Sequence, residues 1–267
     1  MVSTQDLDQR HPDGARGALH LLGDLRLESG AGVVPLPEGS KRLLVLLALN
    51  RRRLDRRWAA GVLWPDGSDD RAAGNLRSSI WRLRRAGIDV IDADRVCLKL
   101  ADTLDVDVDL VDRWAGRVVD GTTCAADLRV HPDSVEALDL LPGWYDEWVV
   151  MSRERLRHRV LHAFEALSRT LSRRGRHYEA IEAAILAAQL EPLRDSAQRT
   201  LIRAHLAEGN WIEGQRSCRV YVDLLRSELG IEPHPDLMAV LARPWAFCAE
   251  ANPADLRAAA VPQETAS

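Results

Sequence analysis

The residues of this chain best suited to reading a polyanion lie between Asp70 and Ala86, in DRAAGNLRSSIWRLRRA. At the roughly 100° per residue of an α-helix, Ala72, Ala73, Leu76, Ile80 and Leu83 fall on one side, and Arg71, Gly74, Asn75, Ser78, Arg82 and Arg85 on the other. Arginine forks onto guanine O6 and N7, asparagine pairs with adenine through two hydrogen bonds, and serine or arginine binds phosphate oxygens. Arg71, Asn75, Ser78, Arg82 and Arg85 are therefore candidates for reading base edges. Arg77 and Arg84 flank the apolar seam and reach phosphates at most. On neighbouring segments Lys41, Arg42, Arg56, Arg57, Arg95 and Lys99 are further phosphate candidates. A solvated charged face is the competing reading of this helix taken alone, because charge runs usually face water. The surrounding elements have to decide between the two.

Other chemistries are less well supported. His158 and His162 stand four apart on an expected helix, but Arg159 occupies the place of a metalloprotease glutamate and no third ligand is evident. Asp105, Asp107 and Asp109 imitate the start of a calcium loop, until Leu110 takes the position that needs glycine and Gly116 that of the bidentate glutamate. Alternating aspartates on a solvent-facing strand describe them better. Neither a P-loop nor a GxSxG elbow occurs, and Cys97, Cys124, Cys218 and Cys248 form no CxxC pair. The sequence thus points to no catalytic residue, no metal site and no cofactor, and its cysteines are expected to be reduced and structural. Trp58, Trp64 and Trp81 alternate with arginines, as aromatics do in single-strand binders. Trp58 and Trp64 fit the core side of a short amphipathic helix, whereas Trp81 lies at the margin of the outward face and is compatible with either side.

Length and composition set the frame for these candidates. A chain of 267 residues, 46% hydrophobic and 28% charged, suits a globular protein of about two domains. No run approaches the roughly 18 apolar residues of a membrane span, and MVSTQDLDQRHPDG has no apolar signal stretch, so the expected location is the cytoplasm. Only Lys41 and Lys99 among the 36 basic residues are lysines, which weakens arginine number as a signal. Charge distribution says more than the total of −4: residues 1–40 carry −3, residues 41–100 carry +7 and residues 101–267 carry −8. The one basic segment contains the arginine-faced helix, as a module that meets a polyanion should.

The elements around that helix have a recognisable order. Residues 1–17 read as a disordered lead, and ALHLLGDLRLESGAGVVPLP as short strands around a Gly30–Ala31–Gly32 turn. Ser40 can cap a first helix in KRLLVLLALNRR; a second fits LDRRWAAGVLW up to Pro65. Ser68, Asp69 or Asp70 can cap the third, which Gly87 ends. IDVIDADRVCLKL then reads as a hairpin around Asp92–Asp94. Strands, three helices and a hairpin form the layout of a winged helix-turn-helix of the OmpR type, with the third helix in the major groove and the hairpin as a wing.

The domain junction is expected near Thr103–Asp107, after which the pattern is helical from Val135 to Leu241. GRHYEAIEAAILAAQLEP from Gly175 and GNWIEGQRSCRVYVDLLR from Gly209 align at an offset of 34, pairing Gly175 with Gly209, Glu179 with Glu213 and Leu190 with Leu224. Upstream, Ala163 pairs with Ala197 and Leu167 with Leu201. That period is the one of tetratricopeptide helix pairs, which bind proteins more often than they do chemistry. The expected fold is therefore mainly α: a winged helix with a small β-sheet, three helices and a β-hairpin over residues 18–103, an all-α tetratricopeptide-like domain over 104–242, and a flexible tail over 243–267.

Several motifs give the chain a family resemblance over residues 18–242. In the first part they are LHLLGDLRLE, the leucine-rich first helix, Leu63–Trp64, NLRSSIWRLRRAG and VDVDLV. In the second they are LLPGWYDEWV, RERLR, ALSRTLSRRGRHYEAIEAA, EPLRDSAQRTLIRAHLAEGN and SELGIEPHPDL. The chain resembles the SARP-type transcriptional activators, antibiotic-regulatory proteins that join an OmpR-like winged helix to a bacterial transcriptional activation domain. The resemblance implies a homodimer on double-stranded DNA that binds promoter direct repeats, recruits RNA polymerase and activates secondary-metabolite genes, with Asn75, Ser78, Arg82 and Arg85 facing the groove. Asp94–Arg95–Val96 stands where the family's wing carries Gly-Tyr, and the absence of a P-loop implies no ATP control within the chain. The alternative function is a protein-interaction adaptor with a degenerate winged helix.

Overall fold

The computed structural model describes residues 17–30, 32–129, 139–235 and Leu237. The expected lead before Gly17, Ala31 of the first turn and the tail 243–267 lie outside the described residues. The chain packs as two units, Met1–Leu110 with Ala137–Ser152, and Val111–Glu136 with Arg153–Ser267.

In the first unit, three short segments form β1 (Gly17–His20), β2 (Arg26–Ser29) and β3 (Gly32–Val34). β1 pairs antiparallel with β2 and β2 with β3; Leu19 opposite Leu27 puts two buried leucines in one layer. α1 (Glu38–Asn50) follows, then β4 (Leu54–Asp55), α2 (Arg56–Leu63), α3 (Asp69–Arg85), β5 (Ile91–Ala93), β6 (Cys97–Leu100) and β7 (Leu104–Val106). The expected hairpin is β5–β6, and β4, which the sequence had hidden at the head of the second helix, makes it a three-stranded sheet in the order β4-β6-β5. β7 returns to the first sheet parallel to β1, with Leu19 opposite Val106.

Two expectations change here. Ser40 does not cap α1, because the helix begins two residues earlier with Pro37 at the N-cap, and Ser40 is buried within its first turn. Asp105, Asp107 and Asp109 do not alternate on a solvent-facing strand, since only Asp105 lies in β7. Asp107 opens α4 (Asp107–Val119), where its carboxylate accepts hydrogen bonds from the Leu21, Leu22 and Val108 amides at 2.7 to 3.0 Å. Burial raises its pKa against those donors.

The core of this unit runs through Leu19, Leu43, Leu44, Leu47, Leu63, Leu76, Leu83 and Leu98, all at most 1% exposed. Leu140 and Leu141, at 0%, join it. The amide of Leu141 donates to the carbonyl of Leu21, and Leu22 bridges Leu140. Residues expected in the second domain thus supply apolar side chains to the first unit.

The second unit takes up α4 from Val111, a 3-10 turn (Ala126–Leu128), α5 (Glu147–Arg173) from Arg153, α6 (His177–Leu190), α7 (Asp195–Glu208), α8 (Trp211–Leu224) and a π turn (Leu225–Leu229). Arg117 donates to both carboxylate oxygens of Asp127, at 3.0 and 2.6 Å, and this bidentate bond drives the Asp127 pKa far down. The 34-residue period holds at the level of single hydrogen bonds. α6 and α8 begin and end 34 residues apart. Gly175 and Gly209 both adopt left-handed backbone, with φ of 73° and 89°, which glycine enters without a Cβ penalty. The Arg176 amide donates to the Leu171 carbonyl as the Asn210 amide does to that of His205, and the Ala180 amide to Arg176 as the Gly214 amide to Asn210. Ala180 and Gly214, equivalent and buried, let the paired helices approach: a Cβ on Gly214 would come within 3.0 Å of Leu206.

Candidate nucleic-acid interface

α3 is held by its apolar seam and by a pair of reciprocal hydrogen bonds. Ala72, Leu76, Ile80 and Leu83 are at most 6% exposed, and Ser79 is fully buried beside them. The Ser79 hydroxyl donates to the Gly39 carbonyl at 2.8 Å, and the Ser40 hydroxyl donates to the Ser79 carbonyl at 2.9 Å. Asp69 and Asp70 in the first turn and Arg82, Arg84 and Arg85 in the last both favour the helix dipole. Ser68 takes the N-cap position, although its side chain makes no capping bond there. Gly87, at φ 76°, ends the helix with the Ile88 amide on the Leu83 carbonyl.

The base-reading candidates stand on the face opposite this seam. Arg71, Ser78, Arg82 and Arg85 are exposed and Asn75 is half-buried. The Arg82 guanidinium lies over Gly39 at the start of α1, where a Cβ would come within 2.6 Å of its Nη1. Arg85 carries its guanidinium carbon 5.0 Å from the centroid of the Trp81 ring. Among the described residues none of Arg71, Arg77, Arg82 and Arg85 pairs with a carboxylate.

Most phosphate candidates already have anionic partners within the unit. Lys41 lies 2.6 Å from Glu38, and Arg42 donates to the Leu63 carbonyl at 3.0 Å and pairs with Asp146. Arg56 donates to the Asp94 carbonyl at 3.1 Å, Arg57 is 3.5 Å from Asp69, and Arg84 is 4.0 Å from Asp89. Lys99 sits 2.6 Å from Asp102 and 3.6 Å from Asp92, and its pKa is raised chiefly by the bond to Asp102. Arg95, exposed at the tip between β5 and β6, has no such partner among the described residues.

The sequence reading missed what holds that tip. Asp94 accepts the Val96 and Cys97 amides at 2.7 and 2.6 Å, pairs with Arg53, and gives its carbonyl to Arg56. The Cys97 amide, then that of Val96, lowers its pKa. The signal was an aspartate at a hairpin turn followed by amides two and three residues on. The tryptophans also divide differently. Trp64 packs against the core, but Trp58 is 45% exposed, because α2 buries Ala59, Ala60 and Leu63 and turns Trp58 off that seam. His158 and His162 are exposed, and the His162 ring lies 3.2 Å from the Arg194 guanidinium.

Residues 111–243 match the model of the bacterial transcriptional activator domain. That match begins at the residue where the second unit begins. The helical half is a bacterial transcriptional activator domain. With it the resemblance to the SARP-type transcriptional activators is borne out. The fold of the chain is similar to that of Mycobacterium tuberculosis EmbR, solved in complex with a low-affinity phosphopeptide, at a TM-score of 0.59 and 21% identity over 86% of this chain. This chain spans 65% of the length of that one. No curated protein matches. No helix among the described residues is long and apolar enough to cross a membrane.

Proposed function

We propose that this chain is a DNA-binding transcriptional activator of secondary-metabolite genes, acting without catalysis or cofactor in the cytoplasm at the nucleoid. Residues 18–103 insert α3 into the major groove of promoter direct repeats, two copies bind as a homodimer, and residues 104–242 recruit RNA polymerase. One observation carries this reading: among the described residues Arg71, Arg77, Arg82 and Arg85 have no carboxylate partner on the exposed face of one helix, within a unit whose other basic side chains mostly have one. Unpaired guanidinium forks on a rigid helix suit guanine edges and phosphates.

The test is selection of duplex sites from a randomised pool by the full chain, followed by titration of the enriched site at several salt concentrations. Affinity should fall steeply with salt. An enriched site protected equally by wild type and Arg82→Ala would remove Arg82 from base reading, and a flat salt response would remove the DNA reading altogether. A protein-interaction adaptor is the second reading, favoured by Tyr178 and Ile212, which occupy equivalent repeat positions and are 68% and 79% exposed. It predicts no enriched site, and capture of a partner by residues 104–242 in the absence of DNA.

A further inference from the structure

The outward face of α3 carries a side chain that phosphate binding does not use. Trp81 is 56% exposed on a helix whose seam residues are at most 6% exposed. Single exposed hydrophobics are ordinary, but this one is not free in solvent, because the Arg85 guanidinium carbon lies over its ring, 5.0 Å from the centroid. A guanidinium held over the ring face by cation–π attraction uses none of its N–H donors for that contact, so they remain for an acceptor. Gly74 and Ser78 precede the pair on the same face, so side-chain volume is small toward the N-terminal half and rises to an indole and a guanidinium toward the C-terminal half.

The chemistry of the groove limits what such a pair meets. Of the four bases only thymine presents an apolar group in the major groove, its C5 methyl, and guanine presents the O6 and N7 acceptors that fit an arginine fork. The indole offers one N–H donor and otherwise apolar surface, which cannot pair with a donor–acceptor pattern but can cover a methyl group. One face of the ring is already occupied by Arg85, which disfavours intercalating stacking with an unpaired base.

Resting on the DNA-binding reading above, we infer that Trp81 and Arg85 form a composite reader of a thymine adjacent to a guanine, with the indole packed on the thymine methyl and the Arg85 fork on the guanine. Trp81 is then a specificity residue rather than a core or solubility residue.

The experiment uses the full chain and the duplex enriched by wild type. Deoxyuridine replaces each thymine in turn, which deletes the C5 methyl and keeps every hydrogen-bonding atom. Wild type should lose about fourfold in affinity at one thymine next to a guanine, the effect of one buried methyl group. Trp81→Ala should bind the thymine site more weakly and show no thymine-to-uracil difference at that position; Trp81→Phe should keep part of it. Unchanged helical circular dichroism confirms that the variants are folded. If Trp81→Ala keeps the wild-type uracil sensitivity at every position, or binds the site as tightly as wild type, the inference falls while DNA binding stands. If wild type enriches no site, both fall together.

Discussion

The cations of α3 and those of α1 and the hairpin belong to one unit and one basic segment, yet all but Arg84 of the first group and all but Arg95 of the second differ in what surrounds them. Arg42 and Lys99 are tied to carboxylates and carbonyls of the fold, whereas Arg71, Arg77, Arg82 and Arg85 face outward with no carboxylate partner among the described residues. The difference shows that a positive segment charge is a sum over two kinds of residue. Some are cross-links of the fold and some are free to neutralise phosphate. If the chain binds DNA as proposed, the second kind is expected to release counterions without first breaking a contact of the fold.

The sharpest way to break this contrast is the double substitution Arg82→Ala with Arg85→Ala. Each base reader is worth about 1–3 kcal/mol in site binding, and two neighbours on one helix need not add fully. Fluorescence anisotropy on the enriched duplex should show a loss of at least about tenfold, with the thermal midpoint unchanged. A shifted midpoint with unchanged affinity would put these arginines in the same structural class as Arg42.

Ser79→Ala tests the scaffold beneath that face. It removes the donor to the Gly39 carbonyl and leaves the Ser40 hydroxyl its own acceptor, so the expected cost is about 1–2 kcal/mol in chemical denaturation. Site affinity should change less than for the arginine pair. Equal stability of Ser79→Ala and wild type would show that the apolar seam alone sets the position of α3.

Much of this layout was legible from sequence because it is periodic. The seam Ala72, Leu76, Ile80, Leu83 repeats at helical pitch, and the offset of 34 returned helix ends, glycines and amide bonds in register. What was not legible depends on contacts between residues far apart in the chain. Arg42 finds Asp146 and Leu63, Ser40 finds Ser79, and Leu140 finds the first-unit core; no local pattern announces such pairings. Asp107 shows the same limit, because alternation along VDVDLV suits a strand until the amides of Leu21 and Leu22 turn its carboxylate into the start of a helix.

Arg42→Ala measures a tethered cation directly. Its side chain is partly exposed, so the ion pair with Asp146 contributes less than its geometry suggests, and the expected loss of stability is below about 1 kcal/mol. Its affinity for DNA should fall less than that of Arg77→Ala, which removes a cation with no carboxylate partner among the described residues. The reverse ranking, read from salt-dependent titrations on one duplex, would mean that Arg42 exchanges Asp146 for phosphate on binding and that ion pairing within the fold does not predict which cations reach DNA.

The smallest expected effect belongs to the hairpin tip. Asp94 is exposed, and its pKa is lowered by the amides of Cys97 and Val96, with Arg53 and Arg56 adding to them. A carboxylate whose folded pKa lies below its unfolded value contributes stability above the ordinary carboxylate range and loses it as pH falls through the folded value. The turn should therefore hold near neutral pH and loosen only in acid, while the global unfolding midpoint barely moves. Carboxyl-carbon NMR should give Asp94 a titration midpoint below that of an unperturbed aspartate. In Asp94→Asn the side-chain oxygen still accepts the Val96 and Cys97 amides, but the charge facing Arg53 is gone, so Arg53 joins the unneutralised cations and the salt dependence of DNA binding should steepen slightly. An unshifted Asp94 midpoint would mean that the hairpin is not fixed by this aspartate, and that Arg95 at its tip is presented by the strand pairing of β5 and β6 alone.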